Sequence, residues 1–190
     1  MNNREESRFF TIGHSNRSLE EFIELLQEGG IGQVVDVRKL PGSNKYPHFN
    51  ADTLAASLSE VGIGFTRSAP LTGRRPVSKD VPFEVNAWWE NRSFHNYADY
   101  ALSDEFSAGL AELLGQETPQ RVALMCSEAV WWRCHRRIIT DHLLAHGENV
   151  QHIVGKNQIK PAELSSGALI GGDKRVTYPS DKELASDTPR

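Results

Sequence analysis

Arg121-Val122-Ala123-Leu124-Met125 runs directly into Cys126-Ser127-Glu128-Ala129-Val130-Trp131-Trp132-Arg133-Cys134-His135-Arg136-Arg137. A short apolar run bounded by polar residues reads as a strand buried on both faces. Beyond the turn, Ile138, Ile139, Leu143 and Leu144 keep helical spacing up to His146-Gly147. Strand, reactive turn and helix therefore follow one another without a linker.

The same alternation extends in both directions. Arg8-Phe9-Phe10-Thr11-Ile12-Gly13 reads as a strand ending in a Gly-His-Ser turn. Ser18 is an N-cap with Glu21 three residues on, and Leu19, Phe22, Ile23, Leu25 and Leu26 form an apolar helical stripe that Gly29-Gly30 stops. Val34 to Arg38 is a second strand. Asp52 is read as the cap of a helix carrying Leu54, Leu58 and Val61, and a third strand begins in Gly62-Ile63-Gly64-Phe65. The stretch from Ser68 to Arg92 holds Pro70, Gly73, Pro76 and Pro82 and no sustained periodicity, as a functional or mobile loop does. Helical pattern returns from Tyr97 to Leu114, broken at the N-cap Ser103, and Val150 to Val154 is the fifth strand. Alternating strands and helices imply an α/β domain of three layers, a mostly parallel sheet of about five strands covered on both faces. The expected organisation is a polar tail over 1–8, one domain over 9–160, and a loosely packed or frayed segment over 161–190.

Composition narrows the function classes. A net charge of −4 across 190 residues offers no basic face for duplex nucleic acid. No run of about 18 apolar residues exists, so no membrane span is expected. Two cysteines eight residues apart, with a polar amino terminus, point to free thiols in a reducing cytoplasm rather than to a disulfide framework.

In parallel sheets, ligands bind at the carboxyl ends of strands, near a switch in strand order. That rule gathers His14, Asp36, Arg38 and Cys126. The turn after Cys126 pairs a helix amino terminus with Arg133, Arg136 and Arg137, a setting that attracts an anion and lowers a thiol's pKa. It departs from a Cys-x5-Arg phosphatase or rhodanese loop, because Arg133 lies seven positions after Cys126 and Glu128 repels a phosphate. Cys126, Cys134, His135 and His14 match no familiar zinc spacing, so no metal and no cofactor are assigned. Cys134, at helical spacing from Ile138, reads as a small core residue. Trp131 and Trp132 either close the core or wall a pocket. Thr72-Gly73-Arg74-Arg75-Pro76 reads as a lid bringing Arg74 and Arg75 over a ligand or as a solvated tip, and Tyr97 reaches the same cleft or the core edge.

Thr-Ile-Gly-His-Ser (11–15), Val-Asp-Val-Arg (35–38), Gly-Arg-Arg (73–75), Tyr-Ala-Asp-Tyr (97–100) and Cys-Ser-Glu-x4-Arg-Cys-His-Arg (126–136) together resemble the family known as domain of unknown function 488. The resemblance implies a Rossmann-like α/β fold in a cytoplasmic protein, and no reaction; some relatives carry a DNA-repair label. It marks His14, Ser15, Asp36, Arg38, Arg74, Arg75, Tyr97, Cys126, Glu128, Arg133, Cys134, His135 and Arg136. Thr72 stands where relatives have Gly and Trp131 where they have Pro. Ala162-Glu163-Leu164-Ser165 replaces a His-containing block.

The resulting expectation is an enzyme acting on an anionic small molecule, nucleotide or modified base. Arg133, Arg136 and Arg38 would grip the anion, with Arg74, Arg75, Asp36, Tyr97, Trp131, Trp132 and His135 around it. Glu128, under a tryptophan lid, is the general acid or base, and His14 is placed as a base or anion donor. Cys126 is either a nucleophile or a structural thiol. The alternatives are a base-excision or nucleic-acid-binding protein that stacks a base or short single strand on Trp131 or Trp132, and a non-catalytic interaction protein. Oligomeric state is not encoded in any of these features.

Overall fold

The computed structural model describes residues 7–42, 44–116 and 120–180. Most of the expected amino-terminal tail and the last ten residues of the carboxyl-terminal segment lie outside them. The strands are β1 (Phe9–Gly13), β2 (Ile31–Asp36), β3 (Gly64–Arg67), β4 (Arg121–Cys126), β5 (Val150–Gly155) and β6 (Gln158–Pro161), with a small hairpin of β7 (Leu169–Ile170) and β8 (Val176–Thr177). The helices are α1 (Leu19–Glu28), α2 (Ala51–Glu60), α3 (Arg92–Tyr100), α4 (Asp104–Gly115) and α5 (Arg136–Ala145).

The central sheet has the order β3-β2-β4-β1-β5-β6, and every pairing is parallel except β5 with β6. It has one strand more than expected, because Gly155 to Gln158 folds a short antiparallel edge strand back onto β5. Alternation along the strands divides the core. Phe9, Val35, Val122 and Leu124 pack under Tyr97, Phe106, Leu110 and Ile138 of α3, α4 and α5. Phe10, Ile12, Val34 and Ala123 face the other way, against Phe22, Leu26, Leu54 and Leu58 of α1 and α2. A strand buried on both faces must be apolar at both parities, which is why β1 and β4 read as continuous apolar runs.

Local chemistry sets the helix ends. The Ser18 hydroxyl accepts from Glu21 N–H at 3.1 Å, and the Ser103 hydroxyl accepts from Phe106 N–H at 3.2 Å. Gly30 takes φ +67° just after α1, the left-handed conformation that glycine enters without a Cβ clash. Asp52 is not the cap of α2: Asn50 occupies that position, and Asp52 lies in the first turn.

The polar stretch after Pro161, expected to pack loosely, is fastened down through residue 180. Ser165 N–H and the Tyr178 hydroxyl both donate to the Asp141 carboxylate, at 2.9 and 2.7 Å. Tyr178 is fully buried, and its backbone pairs with Asn86 and Trp88. Arg137 donates to the Ser165 hydroxyl and lies over the Trp89 ring.

Candidate functional site

β4 lies between β1 and β2, so the chain leaves three adjacent strands at one end of the sheet. Backbone hydrogen bonds extend the register past the strands: His14 N–H to Cys126 C=O at 2.9 Å, Ser15 N–H to Ser127 C=O, and Val37 N–H to Met125 C=O. The approach is so close that a Cβ on Gly13 would sit 1.9 Å from the Glu128 carbonyl oxygen, inside the backbone itself. Gly13 is therefore glycine because the cysteine turn rests on it.

Asp36 and Arg38 form a buried pair. The guanidinium donates to both carboxylate oxygens, 2.9 Å to Oδ1 and 2.8 Å to Oδ2, and also to the Phe49 carbonyl at 2.7 Å. Its Nη1 lies 3.3 Å from His14 Nε2, and His14 Nδ1 lies 2.9 Å from the Ser15 carbonyl. The carbonyl can only accept, so Nδ1 carries the proton and Nε2 accepts from the arginine. Burial, helped by Arg38, lowers the His14 pKa from 6.5 to about 4. His14 is a neutral strut, stacked on Phe49, that holds Arg38 in place.

The turn after β4 closes over two sulfurs. Cys126 Sγ lies 2.8 Å from Cys134 Sγ, and Cys134 Sγ lies 3.5 Å from His135 Nδ1. His135 Nε2 faces the Val37 carbonyl at 3.0 Å. No side chain caps α5, and its first N–H, that of Arg136, points at Cys134 Sγ at 3.5 Å. The Arg136 side chain is 1% exposed and donates to the Glu128 carbonyl at 2.6 Å. Burial raises the Cys126 thiol, as does its hydrogen bond to Cys134. Burial also pushes Cys134 upward, but the hydrogen bond from Cys126, His135 and Arg136 outweigh it and leave Cys134 well below the ordinary thiol range.

Above the sulfurs opens a cavity of about 340 Å³ whose wall includes Arg38, Arg74, Tyr97, Cys126, Arg133 and Cys134. A second, of about 580 Å³, adjoins it through Arg38, Leu40, Arg74, Ser127 and Glu128 and reaches His14, Lys45 and Tyr46. Arg74 comes from the long loop and takes φ +57°. Gly73 before it lies against His135, whose Nδ1 would be 2.7 Å from a Cβ there. Arg74 and Arg133 are exposed, and neither guanidinium has a hydrogen-bond or ion-pair partner among the described residues.

Several expected site residues do other work. Arg75 is pinned to the Thr72 and Ala69 carbonyls, lies 3.7 Å over the Tyr100 ring and lines neither cavity. Arg136 is under the cysteine turn, and Arg38 is already satisfied by Asp36. Tyr97 lines the cavity, but its hydroxyl donates to the Leu71 carbonyl at 2.7 Å. Trp131 stacks on His152 with ring centroids 4.2 Å apart, and neither it nor Trp132 lines the two cavities. The tryptophan lid over Glu128 is thus not formed; the Glu128 carboxylate is exposed at the rim and accepts from Val130 N–H. Lys39 and Lys45 are lining residues that the sequence reading passed over; each follows the end of β2, where the strand-end rule points. Among the described residues no cluster of three or more His, Cys, Asp or Glu could hold a metal ion.

Fold and site together define an α/β protein with a strand-end cleft floored by a thiol pair and rimmed by cationic side chains. The chain belongs to the family described as domain of unknown function DUF488, whose model matches residues 18–143. No curated protein and no solved structure matches it significantly. No helix among the described residues is long and apolar enough to cross a membrane.

Proposed function

We propose that this chain is an enzyme that binds an anionic small molecule, of nucleotide size or smaller, in the paired cleft at the strand ends. The observation that carries the reading is the presence of two unpartnered guanidinium groups, Arg74 and Arg133, on the wall of one cavity. An arginine without a protein partner beside a concave site is available to grip phosphate or carboxylate in two places. A volume of about 340 Å³ lies within the range of small-molecule sites. Lys39 and Lys45 add positive charge at the rim, and Glu128 is the only carboxylate among the described residues that lines either cavity, which supports a role for it as the proton carrier. Arg38, fixed by Asp36 and His14, supports the cleft as a rigid wall whose charge Asp36 already balances.

Calorimetry with inorganic phosphate, pyrophosphate and nucleoside mono- and triphosphates tests this. At least one should bind, and Arg74→Ala and Arg133→Ala should each weaken it by about tenfold or more, the value of one charge-assisted contact. Wild-type affinity in both variants, or no binding by the native chain, sinks the reading. A nucleic-acid reading would draw on Trp132, which is 48% exposed beside Arg133, whereas Trp131's face is occupied by His152. It predicts oligonucleotide affinity that falls steeply with salt and is lost in Trp132→Ala.

A further inference from the structure

Arg136 raises a problem of charge. Its guanidinium cannot shed its proton, it is 1% exposed, and among the described residues no carboxylate oxygen comes within ion-pair distance. Its Nε has no hydrogen-bond partner. An isolated charge in such a place is too costly to keep, so a buried cation needs a buried anion. Among the described residues, the groups beside it that can supply one are the two sulfurs: Arg136 interacts electrostatically with both Cys126 and Cys134. Carbonyl dipoles such as that of Glu128 ease the cost without balancing the charge.

We propose that Cys126 and Cys134 share a single proton, with Cys134 held as the thiolate counterion of Arg136, and that the pair is a nucleophilic dithiol centre for sulfur electrophiles entering from the cleft. Three features place the negative charge on Cys134: Cys126 lies 2.8 Å away as a donor, the first N–H of α5 points at the Cys134 sulfur, and the helix amino terminus favours an anion. His135 is the titratable neighbour at 3.5 Å, with its other ring nitrogen on the Val37 carbonyl. The remaining titratable neighbour is Tyr97 of α3, whose hydroxyl is committed to the Leu71 carbonyl. Both residues line the cavity, and Cys134, 7% exposed against 3% for Cys126, is the one a reactant meets first.

The chemistry balances with a small-molecule disulfide, R–S–S–R, as oxidant. Cys134 thiolate attacks one sulfur, the R–S–S–R bond breaks, and R–S⁻ leaves. Cys126 then gives up its proton to the departed R–S⁻, and its sulfur displaces the second R–S⁻ from Cys134. The chain ends as a Cys126–Cys134 disulfide, and R–S–S–R ends as one thiol and one thiolate. An external dithiol reverses both steps. The sulfurs need only close to the roughly 2.05 Å of a disulfide, a rotation of side chains already in contact.

This proposal stands apart from the anion reading, because it uses neither Arg74 nor Arg133. The first measurement is thiolate absorbance in the ultraviolet as a function of pH on the full chain. About one thiolate per molecule is expected at pH near 7, below the roughly 8.5 of a free thiol. Cys134→Ser should abolish it, and Cys126→Ser should shift its titration upward. The second measurement is reaction with an aromatic disulfide, read by released aryl thiolate and by mass. The native chain should release two equivalents and lose two hydrogens. Cys126→Ser should release one and stop as a mixed disulfide, and Cys134→Ser should react slower by about a hundredfold or more. If the native chain shows no thiolate below pH about 8, or if Cys134→Ser reacts as fast as the native chain, the proposal is overturned. Neither result depends on an anion binding.

Discussion

Asp36 shows at the scale of one residue how a site position can be structural. Its carboxylate is fully buried and receives the Arg38 backbone N–H as well as two guanidinium bonds. Removing it leaves Arg38, 4% exposed, with a carbonyl and an imidazole nitrogen but no counterion. Asp36→Ala should therefore lower the unfolding free energy by about 3–5 kcal/mol, the usual cost of orphaning one member of a buried ion pair. The double change Asp36→Leu with Arg38→Met removes both charges and should recover most of that loss, as urea midpoints would show. A single variant as stable as the native chain would mean that the pair is not desolvated. The same logic separates the arginines: Arg38, Arg75 and Arg136 are consumed by the fold, whereas the Arg74 and Arg133 guanidinium groups have no partner among the described residues. No spacing in the sequence distinguishes these two sets, because the distinction lies in partners far away in the chain. Cys134 reads as a small core residue, and it packs in the core. Its spacing from Ile138 correctly marks it as buried, but the buried cation beside it is visible only in three dimensions.

Elements announce themselves when their determinants are local. Ser18 and Ser103 sit three residues from the N–H groups they cap, so α1 and α4 are legible, and the apolar parity of β1 and β4 marks a sheet covered on both faces. The hairpin segment after Pro161 is not legible, because it is held by bonds spanning 24, 37 and 92 residues rather than by a periodic apolar face. Those bonds make it a strap that ties α5 to the 3₁₀ turn at Phe83–Asn86. Burial raises the Asp141 pKa, and the Ser165 N–H and Tyr178 hydroxyl offset part of that rise. Tyr178→Phe keeps the buried ring and removes one donor to a carboxylate. A loss of about 1.5–3 kcal/mol in urea unfolding is expected, larger than for a hydroxyl bonded to a neutral group. Faster hydrogen exchange in α5 and β8, with α1 unchanged, should accompany it. Exchange that quickens nowhere would show that the strap holds nothing.

For the molecule as a whole, the sheet buries three neutral histidines in three separate elements. His14 ends β1, His142 lies on α5 against the Phe106 ring, and His152 on β5 takes the Thr11 hydroxyl at 2.6 Å under Trp131. Desolvation lowers their pKa values from 6.5 to about 4, about 3 and about 3. The unfolded chain thus binds protons near pH 6.5 that the folded chain refuses until pH 4 or lower, so stability falls as pH drops through this window. Near pH 5 the slope approaches about 1.4 kcal/mol per pH unit for each histidine, with proton uptake approaching three on unfolding. Asp141 opposes the trend at the acid end, because its raised pKa lets the folded state take up a proton first. Urea midpoints between pH about 7.5 and 5 should decline continuously. His142→Leu, which replaces a buried ring nitrogen that has no partner with carbon, should reduce the slope by about one third. His152 resists protonation partly because Arg136 is charged beside it, so the acid limit of the fold and the charge state of the thiol pair share one buried cation. Stability that stays flat from pH about 7.5 to 5 would show that these histidines carry protons inside the fold and that their burial has been overcome by water.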